Sequence, residues 1–187
     1  MADPFKERTG KIKGAIYLTK SIIETYQMQG VGGLMAAKTL LEGAIVPSLL
    51  HGAGTWVGSS KDTDALCEEL QLTYWRTVFQ VPKGTPKVML TAETLSLKMK
   101  QIIWLMKLQL AQKILCQEKS LAKAVYLEQL SRSWPGLSNE VKSICEAIGI
   151  ENVNQKVVKK EAIEEAIFFH NYHEMKQELE SLKSWRI

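Results

Sequence analysis

The stretch LSLKMKQIIWLMKLQLAQKILC, residues 95–116, decides the fold class, because it is predicted to form the most apolar helix of the chain. Its main apolar stripe follows helical spacing and consists of Met99, Ile102, Ile103, Met106, Leu110 and Ile114. Trp104, Leu105 and Leu108 point to other sides of the same helix. A helix that is apolar on two sides is usually central and packed by several neighbours. The stretch therefore predicts an all-α protein built around it.

Helical patterns continue on both sides of this central segment. A stripe along Lys11 to Gln29 predicts a first helix that the GVGG at 30–33 stops, and a second helix follows to about Leu50, where Pro47 should kink it or begin a fresh turn. Further helices are predicted after SSKD at 59–62, after Pro86, and near 120–132, 139–148 and 157–184. We find no convincing strand, so the prediction is an all-α, irregular helical bundle of about seven or eight helices.

The last predicted helix carries a short apolar seam. Its members, at a 4-3-4-3 spacing, are Phe168, Tyr172, Met175, Leu179 and Leu182. The spacing is typical of a coiled coil but lasts only about two heptads. We therefore expect this seam to pack onto the bundle, with weak self-association as the alternative.

Composition limits the class of protein. The chain has 187 residues and a formal charge of +4, and residues 1–115 carry 14 Lys and Arg against 9 Asp and Glu. This basic bias of the first part suits a polyanionic partner without requiring one. No apolar run is long enough to span a membrane, and the N-terminus lacks an apolar core of the signal-peptide kind. Three widely spaced cysteines suggest a reducing setting, so we expect an intracellular protein, nuclear or cytoplasmic.

Motifs for catalysis or cofactor binding are weak. The glycines at 52, 54 and 58 approach a dinucleotide fingerprint, but Pro47 occupies the place of the strand that this motif needs. His170 and His173 lie three residues apart without further ligands for a zinc site, and the three aspartates do not form a carboxylate pair for two-metal chemistry. We expect no catalytic residue, no metal and no cofactor, and the chain alone is predicted not to be an enzyme.

Two helix faces carry chemistry suited to nucleic acid. On the first helix, Lys13, Tyr17, Lys20 and Glu24 are expected to lie opposite the apolar stripe. On the central helix, Lys100, Trp104 and Lys107 follow at i, i+4 and i+7. Lysines beside an aromatic ring suit a phosphate backbone with a sugar or base against the ring. The alternative is that Trp104 belongs to the core and that the lysines only solubilise the helix.

The order of these segments resembles a known family. PSLLHGAGTW, from Pro47 to Trp56, matches Pro-x-Leu-Leu-x-Gly-x-x-x-Trp, and LQLTYWRTVFQVP around Trp75 and Arg76 matches the next helix of the pattern. Together they resemble the thumb region that follows the palm in reverse transcriptases of non-LTR (LINE-like) retrotransposons. The later segments at 131–154 and 159–180 look like the connector beyond that thumb.

The resemblance implies a domain organisation and a role. It gives a disordered tail over 1–10, a thumb-like bundle over 11–117 and a helical connector over 118–187. The catalytic palm, with its Tyr-x-Asp-Asp, is missing, so the chain looks like a fragment of an RNA-directed DNA polymerase, a degenerate copy or a reduced reading frame. Such a thumb grips the backbone of a template–primer duplex beside the palm. The implied nucleic-acid contacts are Lys11, Lys13, Lys20, Lys100 and Lys107.

Two other interpretations remain open from the sequence. The chain could be a helical protein–protein interaction module, or a remnant without function. Within the thumb interpretation, a partner besides the RNA–DNA or DNA duplex is the missing palm domain, and no membrane is expected. Pro47 and the glycines are interpreted as structural, since they let the chain leave the second helix sharply and place Trp56 against the bundle.

Overall fold

The computed structural model describes residues 4–25, 30–56, 61–150 and 158–184. Nine α-helical segments lie in these ranges, with a five-residue π-helix at Leu41–Ile45 and a short 3-10 turn at Ala53–Thr55. The α-helices are α1 (Pro4–Thr25), α2 (Gly30–Leu40), α3 (Val46–Leu49), α4 (Lys61–Phe79), α5 (Lys87–Thr94), α6 (Met99–Cys116), α7 (Leu121–Ser131), α8 (Leu137–Ile148) and α9 (Lys160–Ser184).

The all-α prediction is confirmed for the described residues, none of which lies in a strand. Because α2, the π-helix and α3 follow one another without a break over 30–49, these ranges hold eight continuous helical runs. This number agrees with the seven or eight helices expected from the sequence.

One expected boundary at the start of the chain was wrong. Residues 4–10 belong to α1 and not to a tail, and Thr9 is already buried there. The GVGG segment, expected to end the first helix, holds the start of α2 at Gly30, whose φ is 65°, and Gly33 is buried there. Glycine lowers helix propensity by only about 1 kcal/mol, so packing around Gly33 can offset it. Residues 26–29, the expected end of the first helix, lie outside the described ranges.

Pro47, expected to kink the second helix or begin a fresh turn, lies in the first turn of α3 directly after the π-helix. Pro47 lies at the start of α3, and its missing N–H cannot bond the carbonyl four residues earlier, at Gly43. The helix widens just before this point, and the Val46 N–H donates to the carbonyl oxygen of Leu41, five residues back. The run therefore passes the proline without ending.

The described residues divide into two compact units. Unit 1 holds those within 1–51, 62–98 and 178–187, and unit 2 holds those within 52–61 and 99–177. The boundary expected at 117/118 falls inside unit 2, so the assignment of residues 118–187 to a connector stays a prediction.

Unit 1 has its core around α4. Tyr74 and Trp75 are fully buried, and the Tyr74 hydroxyl donates a hydrogen bond of 2.6 Å to the Ala37 carbonyl oxygen of α2. Gln71, also buried, donates through Nε2 to the Leu97 carbonyl oxygen at 2.7 Å. The stacked rings of Trp75 and Phe79 lie 5.8 Å apart. The aromatic end of the predicted third helix is thus a structural centre of its unit.

Unit 2 is built around α6, which packs against the 3-10 turn, α7 and α8. This agrees with the expected central position of the apolar helix. The buried side is nevertheless shifted from the predicted stripe, because Ile102, Met106, Leu110 and Ile114 stay partly exposed. The buried side chains of α6 are Met99, Gln101, Ile103, Lys107, Leu108 and Ala111.

The predicted seam of α9 was also wrong. Phe168, Tyr172 and Leu182 are exposed, and only Met175 of the seam is fully buried. The buried side follows an i, i+4 row formed by Ile163, Ile167, Asn171 and Met175. Two isoleucines, an asparagine and a methionine pack inward, while the aromatic rings beside them face solvent.

Candidate nucleic-acid interface

The strongest candidate surface lies on α1. Ile12 and Ile16 are buried at 4% and 1% exposure, and buried Thr19 donates its hydroxyl to the Ala15 carbonyl oxygen at 3.0 Å. The buried side chains pack α1 against α2 and α3 within unit 1, whereas the Thr19 hydrogen bond is internal to the helix. Lys13 and Tyr17 are then held on the exposed surface, with Tyr17 68% exposed. A rigid helix therefore presents an amine and a phenol one turn apart.

Lys20 extends the same face but is already paired. Its Nζ lies 3.6 Å from Oε1 of Glu24, which also accepts a 3.4 Å hydrogen bond from Nε2 of Gln80. An exposed i, i+4 pair of this kind is worth about 0.3–0.5 kcal/mol and is screened by salt. A phosphate could therefore replace the Glu24 carboxylate at little cost.

Lys13 and Tyr17 also line a groove between α1 and α4. Its other lining residues are Ile16, Leu66, Glu69, Leu70 and Thr73, and it encloses about 250 Å³. The expectation that the lysine face lies opposite the apolar stripe was therefore wrong. At about 100° per residue, this face adjoins the stripe, and the groove forms where the two meet.

The charges of this groove are not neutralised by one another. Within the described part of the chain, neither Lys13 nor Glu69 takes part in an ion pair. Both side chains are exposed. The groove therefore offers a cation and a carboxylate above a floor formed by Ile16, Leu66 and Leu70.

The structure separates Lys11 from this face. Lys11 is exposed, but it lies two residues before Lys13 and points about 160° away from it around the helix axis. Its neighbours on that side are Leu18 and Ile22, which are 65% and 37% exposed. Lys13 and Lys20 thus share one surface, and Lys11 belongs to another.

Lys100 and Trp104 form a contact of their own in unit 2. The Lys100 Nζ lies 4.6 Å from the centroid of the Trp104 ring, which in turn lies 5.6 Å from the His170 ring of α9. The Trp104 side chain is half-buried. Its ring therefore packs within the unit and does not form an open stacking platform, although Lys100 itself is exposed.

Lys107 must be removed from the candidate surface. It is 5% exposed, and its Nζ lies 2.5 Å from Oε2 of Glu140 on α8. The i, i+7 spacing from Lys100 placed it on a solvent face, but the helix is covered there by α8. A buried lysine needs an anionic partner, and Glu140 supplies it.

The weaker motifs form no site among the described residues. Nε2 of His170 lies 3.3 Å from Oε1 of Glu174, and no group of three His, Cys, Asp or Glu side chains in these ranges is arranged to hold a metal ion. Gly52 has a φ of 76° and Gly54 faces α6, with a helix before them where a dinucleotide loop would have a strand. Gly58 lies outside the described ranges.

Sequence reasoning missed Glu69 and Thr73. Leu66, Glu69, Leu70 and Thr73 follow i, i+3, i+4 and i+7, so the pattern could have placed them on one side of α4. It could not have shown that this side meets Lys13 of α1, because that contact depends on how the two helices pack.

Comparisons with protein-family models, with curated proteins and with solved structures found no match. The family resemblance therefore rests on the motifs of the chain itself. Among the described residues, no helix combines the length and apolar character that crossing a bilayer requires.

Proposed function

We propose that this chain is a non-catalytic helical module of the reverse-transcriptase thumb type, which holds the backbone of a template–primer duplex. The observation that carries the proposal is the exposed Lys13 beside Tyr17 on a helix fixed by its buried stripe. An exposed amine that has no ion-pair partner among the described residues is available to a phosphate.

The geometry supports a grip without sequence readout. Lys13 would bind one phosphate, Lys20 would exchange Glu24 for another, and the phenol of Tyr17 would contact the sugar between them. Contacts to phosphate and sugar position a protein on a duplex but carry no sequence information directly. Lys100 of unit 2 is a further candidate contact, whereas Lys107 is not.

The remaining motif residues support the thumb assignment through their structural roles. Leu49 and Leu50 are fully buried, and Gly52 adopts a left-handed conformation at the start of the 3-10 turn. A Cβ at Gly54 would lie only 3.2 Å from the Met106 carbonyl oxygen. Leu49, Leu50 and Gly52 of the family pattern therefore have structural roles, and so does Gly54, which the pattern leaves open.

Charge reversal on α1 tests the proposal. We expect the double variant Lys13→Glu and Lys20→Glu to bind a labelled RNA–DNA hybrid at least about tenfold more weakly in low salt, since two phosphate contacts are lost. A matched control reverses the exposed Lys119 and Lys142 and should keep most of the affinity. Helicity measured by circular dichroism must be the same in both. Equal affinity of the two variants would reject the assignment of α1.

A second candidate function is protein–protein interaction, favoured by the aromatic side of α9. Phe168, Phe169 and Tyr172 are 41%, 52% and 48% exposed. Adjacent exposed aromatic side chains often mark interaction surfaces. Sedimentation velocity over a range of concentrations tests this function in its self-association form: a dimer that dissociates in the Phe169→Ser variant would support it.

A further inference from the structure

We infer that the groove between α1 and α4 accepts a single ribonucleotide unit, so that the module prefers a duplex containing an RNA strand. This inference rests on the proposed function and names the strand that α1 contacts. It follows from the presence of a carboxylate, Glu69 of α4, in the same groove as Lys13 of α1.

A carboxylate in a phosphate-binding groove needs an explanation. Glu69 would repel a phosphate bound to Lys13, and Lys13 would repel a cation bound to Glu69. A ligand that satisfies both must combine an anion with a hydrogen-bond donor. The apolar floor of Ile16, Leu66 and Leu70 adds a third requirement, a neutral surface between these two groups.

A ribonucleotide meets these three requirements. Its phosphate would pair with the Lys13 ammonium, and its 2′-hydroxyl would donate to the Glu69 carboxylate, as acidic residues do with ribose in other nucleotide sites. The carbon face of the sugar would cover the apolar floor, with Thr73 and the Tyr17 phenol at the edge. A deoxyribonucleotide has no 2′-hydroxyl and leaves Glu69 without a donor.

The size of the groove limits the ligand to one unit. Its volume of about 250 Å³ lies below the roughly 300–1,000 Å³ typical of sites for drug-sized ligands. It suits a sugar with its phosphate and not a stack of bases. The selectivity therefore concerns the sugar and not the base sequence.

The test uses two hybrids that differ only at the 2′ position. One pairs DNA with RNA, and the other pairs the same DNA with 2′-fluoro RNA, which keeps the duplex geometry close to A-form and removes the donor. We expect the full chain to bind the RNA hybrid about tenfold more tightly, the effect of one hydrogen bond to a charged group. Equal affinity for both hybrids would overturn the inference.

Substitution of Glu69 assigns the preference to this groove. Glu69→Ala should bind both hybrids equally and should bind the 2′-fluoro hybrid at least as well as the unmodified chain does, because a repulsive carboxylate is gone. Glu93→Ala, at an exposed position of α5, is the control and should keep the preference. A preference that survives in Glu69→Ala would also overturn the inference.

The two proposals fail in different ways. If the chain binds both hybrids equally, and the Lys13 and Lys20 reversal still abolishes binding, the backbone grip stands and the ribose contact is wrong. If the chain binds neither hybrid at low salt while remaining helical, both proposals are rejected.

Discussion

At the scale of single residues, Gly54 shows how closely the 3-10 turn approaches α6. A methyl group there would lie 3.2 Å from the Met106 carbonyl oxygen and 3.4 Å from Leu110 Cδ2. Gly14, in contrast, has nothing within 4 Å of an added Cβ. We expect Gly54→Ala to cost about 1–3 kcal/mol in the free energy of unfolding and Gly14→Ala to add about 0.5–1 kcal/mol. Urea denaturation of both variants measures the difference, and equal midpoints would contradict this packing.

Substitutions at Lys107 and Glu140 are expected to change the free energy of unfolding in a non-additive way, because the two side chains form an ion pair. Lys107→Met leaves the Glu140 carboxylate, with a side chain 27% exposed, without its cation. We expect the free energy of unfolding of this variant to fall by about 1–3 kcal/mol. The loss is smaller than for a fully buried pair because water reaches Glu140. The double variant Lys107→Met and Glu140→Met should lose less than the two single variants together. Additive losses in a double-mutant cycle would show that the pair does not couple.

Cys67 links stability to alkaline pH. Burial, and secondarily the Asp64 carboxylate, raise the pKa of its thiol from 9.0 to about 12. Above pH 9 the unfolded chain therefore loses this proton while the folded chain keeps it. The contribution of this thiol to the free energy of unfolding is fully present below pH 9 and is lost as the pH rises towards 12. Burial raises the pKa of Tyr74 and Tyr126 in the same direction.

Urea midpoints between about pH 8 and 11 measure this dependence. Cys67→Ala should show a shallower decline than the unmodified chain, because one of the contributing groups is gone. A parallel decline in both would contradict the buried position of Cys67. Cys116, which is exposed, serves as the control position for the same substitution.

At the scale of elements, α9 shows where periodicity misleads. The seam was predicted from large apolar side chains at helical spacing, among them Phe168, Tyr172 and Met175. The row that is buried in the structure consists of Ile163, Ile167, Asn171 and Met175. The two rows are neighbours on one helix, so composition alone could not choose between them. The presence and approximate extent of the helix were predictable, and the side that packs was not.

Substitutions on neighbouring positions of α9 check its orientation. Ile167 is fully buried, whereas Phe168 is 41% exposed. We expect Ile167→Ala to cost about 2–5 kcal/mol and Phe168→Ala less than about 1 kcal/mol, although phenylalanine is the larger side chain. Thermal or urea unfolding measures both. A larger loss of stability for Phe168→Ala than for Ile167→Ala would indicate that the predicted seam, and not the row containing Ile167, packs inward.

Helix boundaries were predictable where a proline or a cap fixed them. Pro47 was expected to kink the second helix or begin a fresh turn, and it lies in the first turn of α3, but the π-helix before it has no recognisable sequence signature. Gly149 closes α8 with a φ of 70°, as predicted from the sequence. The GVGG segment was expected to end the first helix; α2 begins at Gly30, and because residues 26–29 lie outside the described ranges, the end of the first helix stays a prediction.

At the scale of the whole molecule, the candidate site depends on which lysines remain available. Five lysines were predicted from the sequence to contact nucleic acid. Of these, Lys13 is exposed beside the groove, Lys20 is paired with Glu24 and Lys107 is buried. Helical periodicity could group Lys13 with Lys20 on α1. It could not reveal the covering of Lys107 by α8 or the groove with Glu69, because both arise from contacts between distant segments of the chain.

The measurement that tests the central claim most directly is the salt dependence of hybrid binding. Fluorescence anisotropy with a labelled RNA–DNA hybrid should give a linear fall of log K with log salt concentration, with a slope corresponding to several released counterions. Reversal of Lys13 and Lys20 should reduce that slope by about two counterions, and reversal of Lys119 and Lys142 should leave it unchanged. A folded chain whose binding is absent at low salt, or whose slope is the same in all three proteins, would contradict the account.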